Sequence, residues 1–307
     1  MNNLNQKTIL EAVTFEGVGL HTGLNTKVKL LPAEDSQGIV FKRIDLKNNN
    51  TIKANFKNVS SAKLCTTLKN DFGATVSTVE HLMAAFYITG IDNIVVELNN
   101  SELPIMDGSS KEFITLIEKS GLKKQFSKRK YLKILKEINY KDNEKSISVK
   151  PNSNFEVEFE LAYNNIVIGN QKNKVNFTDH DLKDIYTSRT FCLYEDIEKI
   201  KECGLAKGGS LENAIVVKGD KILNEGGLRN SKEFVNHKIL DLAGDFMLSG
   251  YRMLGSINCI QGGHYLSTTF LKEIFKDKSN FEELILDNVD LPTRNLKTQA
   301  NKLAVNA

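Results

Sequence analysis

The segment from His237 to Asp245 limits what this chain can fold into more than any other part of it. His237, Asp241 and Asp245 are spaced four residues apart, so on an α-helix their side chains form one stripe. Most residues between them are apolar, which is typical of a helix buried on most of its surface. Because buried polar groups need partners, the pattern predicts a core helix that carries a cluster of polar ligands.

An imidazole one turn before a carboxylate is a pair of ligands that zinc accepts. The pattern H-x-x-x-D is weak by itself, since such a pair is often only an interaction on a helix surface. His81, at the start of another apolar segment, has two open interpretations: a core histidine with ordinary partners, or a third ligand. As a ligand set, His81, His237 and Asp241 would leave one coordination position for water, which is typical of catalytic zinc, although iron also fits.

Further titratable residues near this set predict acid–base chemistry. Zinc lowers the pKa of a bound water toward ~7, and a neighbouring carboxylate can take its proton. Glu80 fits that role, although its position three residues after Ser77 also fits a capping box that only begins the helix. His264 fits the cationic partner of the reaction, and Asp245 could orient it. The combination predicts metal-assisted hydrolysis of an acyl bond.

Composition excludes several classes of protein. A length of 307 residues allows two domains, and 40% apolar with 26% charged residues is typical of a soluble globular chain. A net charge of +3 with no long basic block argues against a nucleic-acid partner. No apolar run approaches the ~18 residues of a membrane span. We found no dimerisation motif and expect a monomer.

Features of the N-terminus and the cysteines predict the compartment. Residues 1–7 are polar and lack the apolar core of a signal peptide. The 4 cysteines are scattered without a C-x-x-C pair, which favours free thiols in a reducing compartment. We therefore expect a cytoplasmic protein.

The predicted elements fall into two similar halves, and we place the domains at 1–125 and 126–307. Each half has a helix beginning near a histidine, then a strand, a glycine turn and another helix. A basic, polar stretch at 121–130 is interpreted as a solvated linker in preference to a phosphate site. Strands grouped with few helices favour α+β layers. Predicted strands lie at 8–14, 26–31, 39–44, 91–98, 131–138, 146–150, 155–163, 174–177, 213–217 and 253–260, and predicted helices at 81–88, 111–119, 193–202, 234–248 and 265–275.

A series of short segments, spread over nearly the whole chain, occurs in the order found in one known family. The segments are 17–23, 79–85, 104–109, 189–191, 208–210, 213–217, 224–229, 237–241, 244–245 and 263–264. Together they resemble the UDP-3-O-acyl-N-acetylglucosamine deacetylases, the zinc enzymes of the committed step of lipid A synthesis. Several independent motifs in register are far more specific than H-x-x-x-D.

The resemblance implies a fold and a reaction. Two duplicated domains would each place a small β-sheet on α-helices, with the helical layers facing each other and the active site between them. The reaction would remove the N-acetyl group of UDP-3-O-(3-hydroxyacyl)-N-acetylglucosamine as acetate, with zinc as the cofactor and the acylated UDP-amino sugar as the partner.

The resemblance also implies residue roles. His81, His237 and Asp241 would bind zinc. Glu80 would be the general base that activates the zinc-bound water, and His264 the acid or electrostatic partner. Thr190 would donate its hydroxyl to the oxyanion. Lys238 and Asp245 would complete the charge environment, and Phe191 would lie near the sugar.

The region 193–220 corresponds to the family's insert in the second domain, which forms a passage for the 3-O-acyl chain. Ordinary packing of a small insert is an equal alternative for any one residue. The candidate lining residues are Leu193, Ile197, Ile200, Leu211 and Val216.

One position departs from the family pattern. Gln261 stands where the family commonly has a basic residue, three positions before the catalytic histidine, at a site associated with the nucleotide diphosphate. Loss of a cation removes a charge-assisted contact, so recognition of UDP is weaker or comes from another lysine. His21 matches a family motif, and we assign it a scaffold role.

Two rival hypotheses remain open on the sequence. One is a zinc hydrolase that acts on another N-acyl amino sugar, which Gln261 motivates. The other is a binding protein that keeps the fold without catalysis. Retention of Glu80 and His264 argues against the second, because a binder needs no general base. The length of the acyl chain and the choice between zinc and iron are not determined.

Overall fold

The computed structural model describes residues 4–178 and 181–286; the end of the second predicted domain, 287–307, lies outside them. Helices and several small sheets form a mixed α+β architecture, which confirms the predicted fold class. None of the helices in this described part is both long and apolar enough to cross a membrane. The α-helices are α1 (Glu80–Thr89), α2 (Lys111–Lys119), α3 (Lys183–Tyr186), α4 (Tyr194–Glu202), α5 (Glu233–Met247) and α6 (His264–Lys276).

The strands are short and mostly antiparallel. They are, in chain order, β1 (Asn5–Ile9), β2 (Val13–Val18), β3 (Asn25–Pro32), β4 (Ile39–Arg43), β5 (Thr51–Lys53), β6 (Val59–Ser61), β7 (Thr67–Lys69), β8 (Thr75–Val76), β9 (Ile94–Leu98), β10 (Leu122–Lys128), β11 (Lys130–Ile134), β12 (Ile138–Asp142), β13 (Lys145–Lys150), β14 (Phe155–Ala162), β15 (Asn170–Asn176), β16 (Phe191–Leu193), β17 (Ile215–Lys218), β18 (Lys221–Ile222), β19 (Arg252–Ile260) and β20 (Phe281–Ile285).

The larger sheet of the N-terminal half (residues up to 125) has the order β2-β3-β9-β4-β5, in which β4 and β9 are parallel. Its strand β3 alternates buried Thr26, Val28 and Leu30 with exposed lysines, the period-two pattern of a sheet with one covered face. Phe15 of β2 packs on Phe113 of α2 with ring centroids 5.5 Å apart, which places the helices on that face.

In the C-terminal half a seven-stranded sheet is organised around the long strand β19. This strand pairs with β13 on one edge, and with β11 and β14 on the other. Phe155 of β14 packs on Phe246 of α5, and Phe246 in turn packs on Phe270 of α6. Helices α5 and α6 therefore cover one face of this sheet. The equivalence of the two halves stays a prediction.

The helical layers of the two halves meet where α1 packs against α5. Gly244 makes this approach close, because a Cβ there would lie 2.1 Å from the carbonyl oxygen of Glu80. Helix α1 ends at Gly90, whose left-handed conformation (φ 80°) lets its N–H bond back to the last turn. The crossing sets the first turn of α1 beside the middle of α5.

A second contact between the halves is formed by backbone against backbone. A Cβ on Gly108 would lie 2.1 Å from the carbonyl oxygen of Asn213, and one on Gly208 would lie 2.3 Å from that of Gly19. Since Cβ atoms do not approach other atoms so closely, glycine is required at both positions. We call this contact, formed by Gly19, Gly108, Gly208 and Asn213, the backbone seam.

Three local predictions were wrong. The segment 121–130 contains strand β10, which pairs antiparallel with β1, so it is not a free linker. The strand predicted at 8–14 is two strands, β1 and β2, separated by a turn. The capping box is absent: Val79 is the N-cap without a side-chain bond, and the Ser77 hydroxyl donates to the carbonyl of Ser101. In the last case a tertiary partner, the carbonyl of Ser101, replaced the local hydrogen bond that the sequence pattern assumed.

Candidate metal centre and active site

The first turn of α1 and the middle of α5 bring together His81, His237 and Asp241. The Oδ1 atom of Asp241 lies 3.4 Å from Nε2 of His81 and 3.3 Å from Nε2 of His237. One ligand atom from each residue lies within 4.8 Å of the others, and all three residues are buried. Two imidazole nitrogens and a carboxylate oxygen thus converge on one point.

The donor set fits a zinc ion. Asp241 Oδ1 is buried without a hydrogen-bond partner among the described residues, which is costly unless something else binds it. The Nδ1–H of His237 donates to the carbonyl of Ser188 at 3.0 Å, so Nε2 carries the lone pair. Burial lowers the pKa of His237 to about 3, which keeps the ring neutral and able to bind a metal. No such partner is described for Nδ1 of His81.

Lys238 is placed to balance the charge of Asp241. Its Nζ donates to Asp241 Oδ2 at 2.8 Å. Burial acts to raise the pKa of Asp241, but the positive charges of Lys238 and His264 hold that pKa well below its usual value. Asp241 is therefore an anion, and its two oxygens have different partners: Oδ1 faces the histidines and Oδ2 faces the lysine.

Glu80 lies beside the ligand set with its carboxylate held at one end. Oε2 accepts the backbone N–H of Thr66 at 3.0 Å, and Oε1 lies 3.5 Å from Nε2 of His264. Burial raises the pKa of Glu80, with His264 and His81 opposing that rise. A buried carboxylate with a raised pKa is suited to accept a proton near neutral pH.

His264, the first residue of α6, is a cation in this environment. Its Nδ1 lies 2.9 Å from Oδ2 of Asp245, which also accepts the hydroxyl of Ser267. Burial alone would lower its pKa, but Asp245, Glu80 and Asp241 outweigh burial and raise the pKa to about 10. His264 therefore presents a protonated Nε2 toward Glu80.

A cavity of about 590 Å³ lies beside this cluster and is bounded by Lys238 and His264. Of the predicted site residues, it is lined by Thr190, Phe191, Lys238 and His264. Gln261 also lines it, between β19 and α6. Another cavity, of about 300 Å³, lies at the far end of α5 and is lined by none of the predicted site residues.

The structure places Phe191 and Thr190 on the side of the cavity formed by α5. The Nζ of Lys238 lies 5.6 Å from the centre of the Phe191 ring. Thr190 is held by its backbone, which bonds to Gly108 and Ile215. Neighbouring Arg189 forms an ion pair of 2.8 Å with Glu233 at the start of α5, which fixes this segment against the helix.

The five predicted acyl-passage residues do not line the 590 Å³ cavity. They lie in or beside the small sheet β16-β17-β18 and helix α4. Val216 is buried, Leu211 is exposed, and the other three are half-buried. Their role as a passage stays a prediction.

Several site residues were not found from the sequence. Thr66, Ser188 and the cavity residues Lys145 and Tyr163 all reach the site through tertiary folding. Ser188 contributes a backbone carbonyl, for which the sequence carries no signal. For Lys145 the one indirect signal is Gln261, because the absence of a basic residue there suggests that another lysine supplies the charge.

The sequence is similar to known proteins over nearly its whole length. A model of the UDP-3-O-acyl N-acetylglycosamine deacetylase family matches residues 6–276. A Francisella tularensis subsp. tularensis (strain WY96-3418) protein, named UDP-3-O-acyl-N-acetylglucosamine deacetylase, is 40% identical over 284 residues, covering 91% of this chain and 99% of that protein. Proteins of the same name from Nautilia profundicola and Geobacter sp. (strain M21) are 41% and 39% identical, each over 88% of this chain and over 92% and 89% of their own lengths. The chain therefore belongs to the UDP-3-O-acyl N-acetylglycosamine deacetylase family.

Proposed function

We propose that this deacetylase hydrolyses the N-acetyl group of UDP-3-O-(3-hydroxyacyl)-N-acetylglucosamine, releasing acetate in the committed step of lipid A synthesis. The substrate is taken from the name that the relatives carry. The observation that carries the proposal is the placement of Glu80 and His264, 3.5 Å apart, next to a buried His–His–Asp set. A binding protein would have no use for a base and an acid at that position.

His81, His237 and Asp241 would hold the zinc ion. When bound, zinc lowers the pKa of water and polarises a carbonyl as a Lewis acid. The residues around it prepare the site before substrate arrives: His237 is neutral, Asp241 is anionic, and Lys238 offsets part of that charge.

Glu80 would act as the general base. Thr66 occupies Oε2, so Oε1 is the oxygen that takes the proton of the attacking water. Since burial raises the pKa of this carboxyl, Glu80 can hold the proton and return it to His264, 3.5 Å away, once that ring has protonated the departing amine. General base catalysis of this kind contributes on the order of 10²-fold to 10⁴-fold to the rate.

His264 and Thr190 would stabilise the negative charge that forms on the acyl oxygen. His264 is cationic because Asp245 binds its Nδ1 side, which leaves the Nε2 proton for the reacting group. That proton can then pass to the departing amine. Thr190 lines the same cavity and would donate its hydroxyl to the oxyanion.

The cavity would hold the sugar and the diphosphate. Phe191 offers an apolar face for the sugar ring, and Lys145 and Lys238 supply the cations available to the phosphates. We propose that Lys145 takes on much of the contact that a basic residue at Gln261 would make. The residues Leu193, Ile197, Ile200, Leu211 and Val216 are proposed to guide the acyl chain.

The test is release of acetate from UDP-3-O-(3-hydroxymyristoyl)-N-acetylglucosamine by purified protein, before chelation, after chelation and after zinc is returned. We expect activity that chelation removes and zinc restores. Stoichiometric zinc binding without acetate release would contradict the substrate. A panel of N-acyl amino sugars lacking UDP then tests the rival hydrolase that Gln261 motivates. Failure to bind any metal would overturn the proposal.

A further inference from the structure

Thr66 contacts two buried carboxylates of the candidate site, Glu80 and Asp245. It lies immediately before β7 and is completely buried. Its backbone N–H donates to Glu80 Oε2 at 3.0 Å, and its hydroxyl donates to Asp245 Oδ1 at 2.7 Å. Glu80 belongs to α1 and Asp245 to α5, so one residue bridges the two helices that form the site.

The contact with Asp245 completes the hydrogen bonding of that carboxylate. Oδ2 is occupied by His264 Nδ1 and the hydroxyl of Ser267, and Oδ1 by the hydroxyl of Thr66. Because both oxygens accept hydrogen bonds, the carboxylate cannot rotate about the Cβ–Cγ bond of Asp245 without losing a buried hydrogen bond. The direction of the His264 ring therefore depends partly on Thr66, which does not touch it.

The backbone of Thr66 is itself fixed to the start of α1. Its carbonyl accepts the N–H of Val79, the N-cap of that helix, at 3.4 Å. The N–H, the carbonyl and the hydroxyl of Thr66 all have partners within the site or at its edge. A shift of Thr66 would consequently move Glu80 and Asp245 together.

We propose that Thr66 is a positioning residue, which sets the distance and direction between the proposed base Glu80 and the proposed acid His264. This inference rests on the proposed function, because it assigns Thr66 a role in that reaction. Thr66 holds Glu80 directly, and it acts on His264 through Asp245. The 3.5 Å separation of Glu80 Oε1 and His264 Nε2 is the geometry that it maintains.

Three variants separate this role from simple packing. T66V keeps the shape and the backbone N–H but removes the hydroxyl, while T66S keeps the hydroxyl and loses a methyl group. T26V is the matched control, because Thr26 is also completely buried but its hydroxyl has no hydrogen-bond partner among the described residues. Only T66V should lose the contact with Asp245.

Turnover gives the first readout. We expect T66V to lower kcat on the order of 10-fold to 10²-fold, the cost typical of a misplaced catalytic group, with KM and zinc content unchanged. T66S and T26V should keep kcat near that of the unmodified protein. Equal kcat in T66V and T66S, or a loss in T66V that appears only in KM, would overturn the proposal.

The NMR resonance of the His264 Nδ1 proton gives a second readout that needs no turnover. This proton lies in the bond to Asp245, so we expect T66V to shift its resonance and speed its exchange with water, while T66S and T26V leave both unchanged. An unchanged resonance in T66V contradicts the role of Thr66. If the unmodified protein releases no acetate, the proposed function falls, and this resonance still decides whether Thr66 positions His264.

Discussion

Two buried histidines of this site have opposite electrostatic surroundings. Burial dominates at His237 and lowers its pKa to about 3. At His264 the carboxylates of Asp245, Glu80 and Asp241 outweigh burial and raise the pKa to about 10. One ring is therefore neutral and the other a cation, although both are buried. The difference comes from neighbouring side chains and not from depth in the fold.

Replacing Glu80 tests its proposed role as the general base. E80Q keeps the size of the side chain, and its amide cannot take a proton from water. We expect kcat to fall by about 10²-fold or more, while a calorimetric titration shows that the substrate still binds.

The zinc content of E80Q, measured on the same sample, is the control, because Glu80 is not in the ligand set. Normal zinc content with unchanged kcat would remove Glu80 from the mechanism.

At the scale of elements, the crossing of α1 and α5 brings the proposed metal ligands together. Gly244 lies at this crossing, against the backbone of Glu80 and Ala84. Adding one methyl group forces the helices apart, because the nearest atom is a backbone oxygen that has no rotamer to change. Overpacking typically costs about 1–3 kcal/mol, and here it also displaces His81 and Glu80.

We therefore expect G244A to unfold at lower urea concentration and to bind zinc more weakly than the unmodified protein. Equilibrium urea unfolding and a zinc titration measure the two effects. G209A is the matched control, since a Cβ at Gly209 would meet its nearest neighbour at an ordinary 3.4 Å. Equal losses in both variants would contradict a special role for the crossing.

An ion pair joins the turn before α2 to the segment before α5. Arg229 Nη1 lies 2.8 Å from Oδ2 of Asp107. Burial acts to raise the pKa of Asp107, but hydrogen bonds from Ser109 and the charge of Arg229 lower it below its ordinary 3.8. A lowered pKa stabilises the folded state above 3.8, and this contribution is lost as the pH falls through the folded value.

D107N removes this contribution. We expect it to lower the free energy of unfolding at pH 7 by about 1 kcal/mol, a figure reduced for the partial exposure of the pair. Urea unfolding at a series of pH values should show that the free energies of unfolding of the two proteins become equal below the ordinary pKa of Asp107. If the difference in free energy of unfolding stays constant at acidic pH, the ion pair is not its cause.

The sequence predicts some elements well because their signals are local. Helix α5 was predicted at 234–248 and is found at Glu233–Met247, since apolar spacing and a polar stripe both indicate a buried helix. The segment 121–130 was misjudged because exposed lysines are as common on a surface strand as in a linker, and pairing with β1 depends on residues far away in the chain. Local pattern carries no information on such partners.

The candidate site divides in the same way. His237 and Asp241 share one helix, so their proximity follows from spacing alone. His81 and Glu80 join them only through the packing of α1 on α5. The apolar residues that follow them predict that α1 is buried, but not which helix it packs against. Thr66 could not be predicted, because its role depends on a backbone N–H and on a hydroxyl aimed at a residue of the other half.

At the scale of the whole molecule, the proposed ligand set includes residues from both halves of the chain. His81 comes from the N-terminal half, and His237 and Asp241 come from the C-terminal half. An ion that binds only the folded protein stabilises it by about 2.7 kcal/mol when its free concentration is 100 times Kd. We therefore expect zinc to raise Tm by several degrees and chelation to lower it.

Differential scanning calorimetry of the full chain with zinc and with a chelator measures this effect. H237A is the control, because it leaves two ligands and should show a much smaller shift. A shift of equal size in H237A would mean that the stabilising ion binds elsewhere.

The backbone seam bears on how substrate enters. At Gly108 and Gly208 main-chain atoms of the two halves lie against each other, which leaves no room there for one half to move toward the other. A hinge motion needs free space between the two halves, and this contact leaves little of it. We therefore expect the cleft to keep one width with and without substrate, so that the entropic cost of ordering it is met during folding and not at each turnover. The protein would then select among substrates by how well their shape fits the entrance of a cavity whose width does not change.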